Sequence, residues 1–272
     1  MDICKKVYFS LPEGEVTWNA RYHGMEYRSA DDLSVDSIYD KHYFDCGYID
    51  KREQRIPHYK KIVDLICPYD NGGLLDIGAG TGLFLHEAEQ KIAPSCGIEP
   101  SAAACAFAKT YCSSEIINCD PLDLPRDWGC GAYGIVTVLD VLAHVKEPEA
   151  LLNRCYGYLK PGGVLVLKTP NHPPEFYDYV RTKYGKNPAM YRVLTHLPYQ
   201  RFGWGIDGLT EFVRFCGFQV QSAEPFDEHR KSGQFEIIDV FHPRRMLYKH
   251  QIRQAEKFLQ FPSIFLTARK AE

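Results

Sequence analysis

The sequence has 272 residues, 45% of them hydrophobic, 25% charged and 13% aromatic, which is enough apolar material to bury a substantial core and excludes a disordered or low-complexity chain. Lys plus Arg number 32 and Asp plus Glu 35, a net charge of −3; so balanced a chain has no global field to hold a polyanion, and nucleic acid is not an expected partner. No apolar run approaches the roughly 20 residues that span a bilayer, and Met1-Asp2-Ile3-Cys4-Lys5-Lys6 leads into polar sequence, so no integral membrane segment is expected and the cytoplasm is the expected compartment.

Residues 1–53 carry many aromatics and charges without a sustained period. They are expected to form an N-terminal extension or lid, with one or two short hairpins or helices, ahead of a domain over 54–272. Between Gln54 and Cys67 the apolar residues Ile56, Tyr59, Ile62, Val63 and Ile66 recur at spacings that put them on one face of a helix. Pro68 and Asn71-Gly72-Gly73 end it. Short apolar runs then alternate with helical patterns: Leu74 to Ile77, a helix from about Gly82, Cys96 to Glu99, a helix from Ser101, Glu115 to Ile117, Gly134 to Asp140, a helix from Pro148 to Leu159, and Gly163 to Lys168. Strands alternating with helices require right-handed crossovers, a parallel sheet and cover on both faces, so the fold class is a doubly wound α/β domain.

Leu159-Lys160-Pro161-Gly162-Gly163 is expected to be a stop between helix and strand. Two segments interrupt the alternation. The stretch 170–204 is long and rich in tyrosine and phenylalanine, as a cap insertion over a site would be. After a helix from about Ile206 to Cys216 and a strand from Phe218 to Ala223, residues 224–260 form a second insertion before a last strand, Ser263 to Ala268. The ten cysteines include no Cys-x-x-Cys pair and are expected to be reduced thiols, with no metal site.

The main chemical signal is the strand Leu74 to Ile77 delivering Gly78-Ala79-Gly80-Thr81-Gly82 into a helix. Residues without side chains let the backbone approach a ligand closely, and the helix start supplies oriented amide donors. Glu99 follows 17 residues past Gly82 at the end of the next strand, where a carboxylate can accept from both hydroxyls of a ribose. The combination points to a nucleoside cofactor.

These residues resemble, in order, the class I S-adenosylmethionine-dependent methyltransferases. Asp76 with Gly78, Gly80 and Gly82 is similar to the first motif, Gly97-Ile98-Glu99-Pro100-Ser101 to the acidic strand end, and Cys119-Asp120-Pro121-Leu122-Asp123 to the third-strand loop; Tyr133 to Val145 is similar to the fourth-strand motif. Thr169-Pro170-Asn171, His196-Leu197-Pro198-Tyr199 and Phe215-Cys216-Gly217-Phe218 resemble the ubiquinone-pathway-like O-methyltransferase branch. The resemblance implies a Rossmann-like sheet of seven mostly parallel strands with an antiparallel last strand. It also implies S-adenosyl-L-methionine as cofactor, held by Asp76, Gly78, Ala79, Gly80, Gly82, Glu99, Pro100, Asp120, Pro121, Leu139 and Asp140; Tyr39 and Tyr43, early in the chain, either close over it or pack against the first helix. Asp120 would receive the adenine amino group. Ala143 departs from the pattern, standing where the family usually has glutamate before the histidine.

The expected activity is methylation of a small-molecule acceptor at oxygen: a metabolite, a sugar or a natural-product intermediate. An NAD-dependent oxidoreductase is the rival enzyme, disfavoured because Leu83 occupies the last position of Gly-x-Gly-x-x-Gly. A non-catalytic cofactor-binding regulator or scaffold is the alternative from a different class. His144, four residues past Asp140, is the first candidate base, with a structural histidine as the competing reading. His196 is the weaker candidate, beside His172, against a loop-fixing role for both. The cap aromatics either stack a ring or sugar of the acceptor or form a small core of their own. Arg245, Lys249, Arg253 and Lys257 recur every four residues in 244–258, as a peripheral membrane contact or a solvated helix face would have them.

Overall fold

The computed structural model describes residues 7–11, 14–29, 52–185, 187–226 and 263–271. Tyr39, Tyr43, the basic stripe at 244–258 and nearly all of the expected second insertion lie outside the described residues.

The larger sheet contains β4 (Leu74–Ile77), β5 (Ser95–Ile98), β6 (Glu115–Ile117), β7 (Tyr133–Leu139), β8 (Leu159–Pro170), β10 (Gln219–Phe226) and β11 (Ser263–Arg269) in the order β10-β11-β8-β7-β4-β5-β6. The β8, β7, β4, β5 and β6 pairings are parallel, and β11 runs antiparallel to both β8 and β10. This is the doubly wound seven-stranded sheet with an antiparallel last strand. From β4 the chain moves outward through β5 and β6, then returns to place β7 on the other side of β4. The order therefore reverses between β4 and β7, and a crevice opens at their carboxyl ends.

Side chains of successive strand residues alternate between the two faces, and the core divides accordingly. Leu75, Ile77, Val136, Val138, Leu165 and Leu167 pack on one face with Leu151, Leu152 and Cys155 of α4 (Pro148–Tyr158) and Leu209, Phe212 and Val213 of α7 (Ile206–Phe215). Leu74, Ile135, Val164 and Val166 pack on the other with α1 (Arg52–Ile66), α2 (Leu83–Ala88) and α3 (Ala102–Tyr111). Ser101 caps α3, its hydroxyl accepting from the Ala104 N–H.

The expected stop at Leu159 to Gly163 is corrected. β8 already begins at Leu159, which pairs with Tyr133, and the next pair is Ile135 with Val164. The Pro-Gly-Gly sequence is absorbed as an excursion inside the strand, with Gly162 at φ +70°, because the flanking apolar residues still reach their partners in β7.

The N-terminal residues form a meander, β1 (Val7–Leu11), β2 (Gly14–Asn19) and β3 (Gly24–Ser29), whose β3 pairs with β9 (Phe202–Gly203) at the end of the cap. The rest of the cap is α5 (Pro174–Tyr184) and α6 (Pro188–Thr195). Val16, Met25 and Tyr27 of the meander pack with Phe176, Tyr177, Val180 and Tyr191 of the cap in a third hydrophobic cluster. Of the two readings of the cap aromatics, these three rings belong to a small core. Phe202 and Trp204 join the main core instead.

Trp204 is fully buried, its ring stacked between Phe202 at 5.5 Å and Phe212 at 5.7 Å, while its Nε1–H donates to the Tyr22 carbonyl at 2.8 Å. It joins meander, cap and sheet domain. Trp204→Ala is therefore expected to cost about 3–5 kcal/mol of stability, read as a lowered urea midpoint.

Candidate functional site

The glycine loop leaves β4 at the point where the strand order reverses. Gly78 has φ +76°, and a Cβ there would lie 2.3 Å from the Val141 side chain on the loop after β7. Gly82, at φ +75°, stands at the start of α2, and a Cβ would meet the Cys112 sulfur at 2.9 Å. Both positions exclude a side chain on conformation and on space. The Gly78 and Ala79 N–H groups donate to the Ile98 carbonyl at 2.8 and 3.1 Å.

Glu99 closes the other wall. It is buried, with Oε2 accepting from the Gly80 N–H and Oε1 from the Ser101 N–H, each at 2.8 Å. Burial raises its pKa, against the two amide donors, which lower it. The Asn118 side-chain amide donates to the Glu99 and Pro100 carbonyls at 2.9 Å each, fixing the chain two residues ahead of Asp120. Asp120 Oδ1 in turn accepts from the Leu122 N–H at 2.8 Å, and the Pro121 carbonyl accepts from Tyr158. The sheet thus brings Asp76, Gly78, Ala79, Gly80, Gly82, Glu99 and Pro100 together around one loop, with Asp120 and Pro121 on the adjoining turn.

Asp76 lies beneath this loop, 3% exposed, accepting from the Thr137 hydroxyl at 2.6 Å. Burial pushes its pKa up to about 7; the Thr137 bond opposes this and the nearby Glu99 charge adds to it. Thr81, 2% exposed, has a buried hydroxyl oxygen with no hydrogen-bond partner among the described residues. Such a hydroxyl, between Gly78 and Gly82 where a Cβ would clash, fits a polar ligand that completes the loop.

At the end of β7, Leu139 leads into Asp140, which has φ +58° and a carboxylate accepting from Lys168 Nζ at 2.5 Å. Lys168 is 3% exposed. Sequence reasoning missed it, though a lysine closing the apolar run Val164 to Leu167 was the available signal. Thr137, a hydroxyl within the apolar strand β7, was missed for the same reason.

His144 is half-buried, with Nδ1 3.0 Å from the Tyr199 carbonyl. A carbonyl only accepts, so Nδ1 carries the proton and Nε2 is the basic nitrogen of the neutral ring. Burial lowers its pKa, although the Tyr199 carbonyl and the Asp140 charge raise it. Ala143 is held by the same segment, its carbonyl accepting from the Arg201 and Phe202 N–H groups at 2.7 and 3.0 Å. His196 ends α6 at φ +57° and stacks on His172 with ring centroids 6.0 Å apart.

The Asp76 geometry carries a signed pH dependence. Its native pKa is raised from 3.8 to about 7, so between those values the native state holds a proton that the unfolded state has lost, and its contribution to stability falls as pH rises through that window. Asp76→Asn removes this slope. The melting temperature of the variant minus that of the parent is expected to increase from pH 4 to pH 7, as measured by calorimetry across that range.

The family described as Methyltransferase domain matches residues 51–223. A ubiquinone biosynthesis O-methyltransferase of Rhodopseudomonas palustris is 35% identical over 107 residues, 36% of this chain and 40% of that protein. One from Saccharophagus degradans is 26% identical over 186 residues, 64% of this chain and 77% of that protein. The chain spans 40–47% of the length of the first curated relatives it matches. A SAM-dependent methyltransferase structure from Archaeoglobus fulgidus superposes with a TM-score of 0.55 at 19% identity, covering 82% of this chain and 98% of that one, a likeness of fold. With the family match over most of the α/β domain and the glycine loop, acidic strand end and sheet order in place, the chain belongs to the methyltransferase domain family.

Proposed function

We propose that the chain transfers a methyl group from S-adenosyl-L-methionine to a hydroxyl of a small-molecule acceptor. The observation that carries this reading is the pairing, on one sheet edge, of a glycine loop closed by Glu99 with His144 fixed as the Nδ1–H tautomer. When bound, the cofactor supplies a sulfonium-activated methyl. Gly78, Gly80 and Gly82 would cradle it, the Thr81 hydroxyl would be free to give it a hydrogen bond, Glu99 would take the ribose hydroxyls, and Asp120 the adenine amino group. The buried carboxyls Asp76 and Glu99 suit a ligand that carries positive charge.

On the acceptor side, in-line displacement asks chiefly for orientation. His144 takes the hydroxyl proton at Nε2 while Nδ1–H stays on the Tyr199 carbonyl. Its lowered pKa keeps the ring unprotonated at neutral pH, as a base requires. The ubiquinone O-methyltransferase relatives support oxygen as the acceptor atom.

Titration calorimetry with S-adenosylmethionine and S-adenosylhomocysteine, with NAD as control, tests the cofactor. Both sulfur nucleosides should bind, and Glu99→Gln should weaken them by about tenfold, roughly 1.4 kcal/mol; a preference for NAD would overturn the assignment. For catalysis, transfer of labelled methyl to a panel of phenols and hydroxylated sugars is the readout. His144→Ala should keep cofactor affinity and lower kcat by about 10²–10⁴. The rate of the parent should fall on the acid side at a pH below the ordinary imidazole value of 6.5. Cofactor binding without transfer to any acceptor, unchanged by the His144 substitution, would instead support a regulatory binding protein.

A further inference from the structure

The segment Tyr199 to Trp204 lies between two parts of the chain that the sequence keeps far apart. Toward the site, the Tyr199 carbonyl accepts from His144 Nδ1, and the Arg201 and Phe202 N–H groups donate to the Ala143 carbonyl. On its other side, the Arg201 carbonyl accepts from the Tyr27 N–H at 2.7 Å, Glu26 and Met25 pair with Phe202 and Gly203, and Trp204 Nε1 donates to the Tyr22 carbonyl. These hydrogen bonds hold the loop of His144 to a strap whose far side is bonded to the N-terminal meander.

Two glycines set how closely the meander presses on this strap. A Cβ on Gly24 would lie 2.5 Å from Trp204 Nε1 and 3.0 Å from the Gly203 carbonyl. A Cβ on Gly208, in α7, would lie 2.2 Å from the His23 carbonyl oxygen, a backbone atom that cannot swing aside. Neither glycine has positive φ, so both are there for close approach rather than for conformation. Tyr22 fills the remaining gap, its ring 5.5 Å from Phe202 and 5.2 Å from Phe212, and Arg21 holds the outside of the turn through two hydrogen bonds to the Glu149 carboxylate.

We propose that the N-terminal meander is a positioning element for the acceptor half of the site: it clamps the 199–204 strap onto the loop after β7, and the strap holds His144 in one place and one tautomer. Gly24, Gly208 and Trp204 are its positioning residues. The consequence for catalysis rests on the proposed role of His144; the structural coupling does not. The glycine loop is held by Glu99 and Ile98 on the other side of β4, and none of its described hydrogen bonds goes to the strap.

Gly208→Ala tests the clamp. Alanine is the better helix former, so α7 itself is not weakened, while the added methyl collides with His23. Two readouts are taken on the full-length, isotope-labelled protein: amide hydrogen exchange at Arg201 and Phe202, and the ¹⁵N shifts of the His144 ring at a pH where it is neutral. The parent should show a single Nδ1–H form. The variant should exchange these two amides about tenfold faster or more and show a mixture of Nδ1–H and Nε2–H forms, with S-adenosylhomocysteine affinity within about twofold of the parent because no described hydrogen bond joins the strap to the glycine loop. Should a single methyl be accommodated by a small shift, Gly24→Val combined with Gly208→Ala applies the clash from both sides of the turn.

Faster exchange with His144 still wholly Nδ1–H would overturn the proposal, since the strap would then not govern the ring. Unchanged exchange in the double variant would overturn it equally, since the meander would not be what holds the strap. A parallel loss of S-adenosylhomocysteine affinity would make the effect a general loss of the fold, and that also overturns it. None of these readouts needs an acceptor, so they separate failure of the clamp from failure of His144 as a base, which the methyl-transfer assay on His144→Ala decides.

Discussion

The bonds between the Glu99 carboxylate and the Gly80 and Ser101 amides organise one wall of the crevice. A carboxylate taken out of water is costly unless hydrogen bonds replace its hydration, and here two backbone donors do so from opposite directions. One belongs to the loop after β4 and the other to the start of α3, so the same charge fixes the glycine loop and the entrance to the next helix. Asn118, donating to the carbonyls of Glu99 and Pro100, extends the constraint to the loop after β6. Gly97 lets β5 lie tight beneath, where a Cβ would meet Ala79, Leu85 and Ile116 within 2.8 Å. Three strand ends behave as one rigid wall because their polar atoms are spent on each other.

The opposite wall is built differently. Around His144 the polar contacts join segments more than fifty residues apart: Ala143 and His144 after β7, the strap at 199–204, and the meander ending at Ser29. The Asp140 and Lys168 pair ties the ends of β7 and β8 together beside the crevice. Within one sheet edge, then, a locally encoded half that suits a common cofactor sits beside a half assembled from distant insertions.

Sequence reading reached most of the α/β domain because its signals are local. Leu74 to Ile77, Glu115 to Ile117 and the helix starting at Pro148 are bounded by turn residues or caps within a few positions, and the structure has the same elements. Asp76, the three loop glycines and Glu99 were legible because spacing along the chain converts directly into position on a parallel sheet. The N-terminal strands were less so. β1 to β3 are a half-buried meander whose period is broken by Gly14, His23 and Gly24, and their pairing partner β9 is only two residues long. Lys160 to Gly163 read as a terminator, and only pairing with β7 shows that the strand runs through it.

The alternation of strands and helices and the glycine loop with its acidic partner are written in the chain alone, since each depends on residues adjacent in sequence or one crossover apart. Tertiary structure alone decided what surrounds His144: that Nδ1 is committed to Tyr199, that Lys168 is buried against Asp140, that the cap aromatics Phe176, Tyr177 and Tyr191 form a core with the meander, and that the meander reaches the site through the strap. These depend on contacts between segments separated by tens to more than a hundred residues. No periodicity or spacing encodes such contacts, because they are chosen only when the sheet order brings the segments to the same edge.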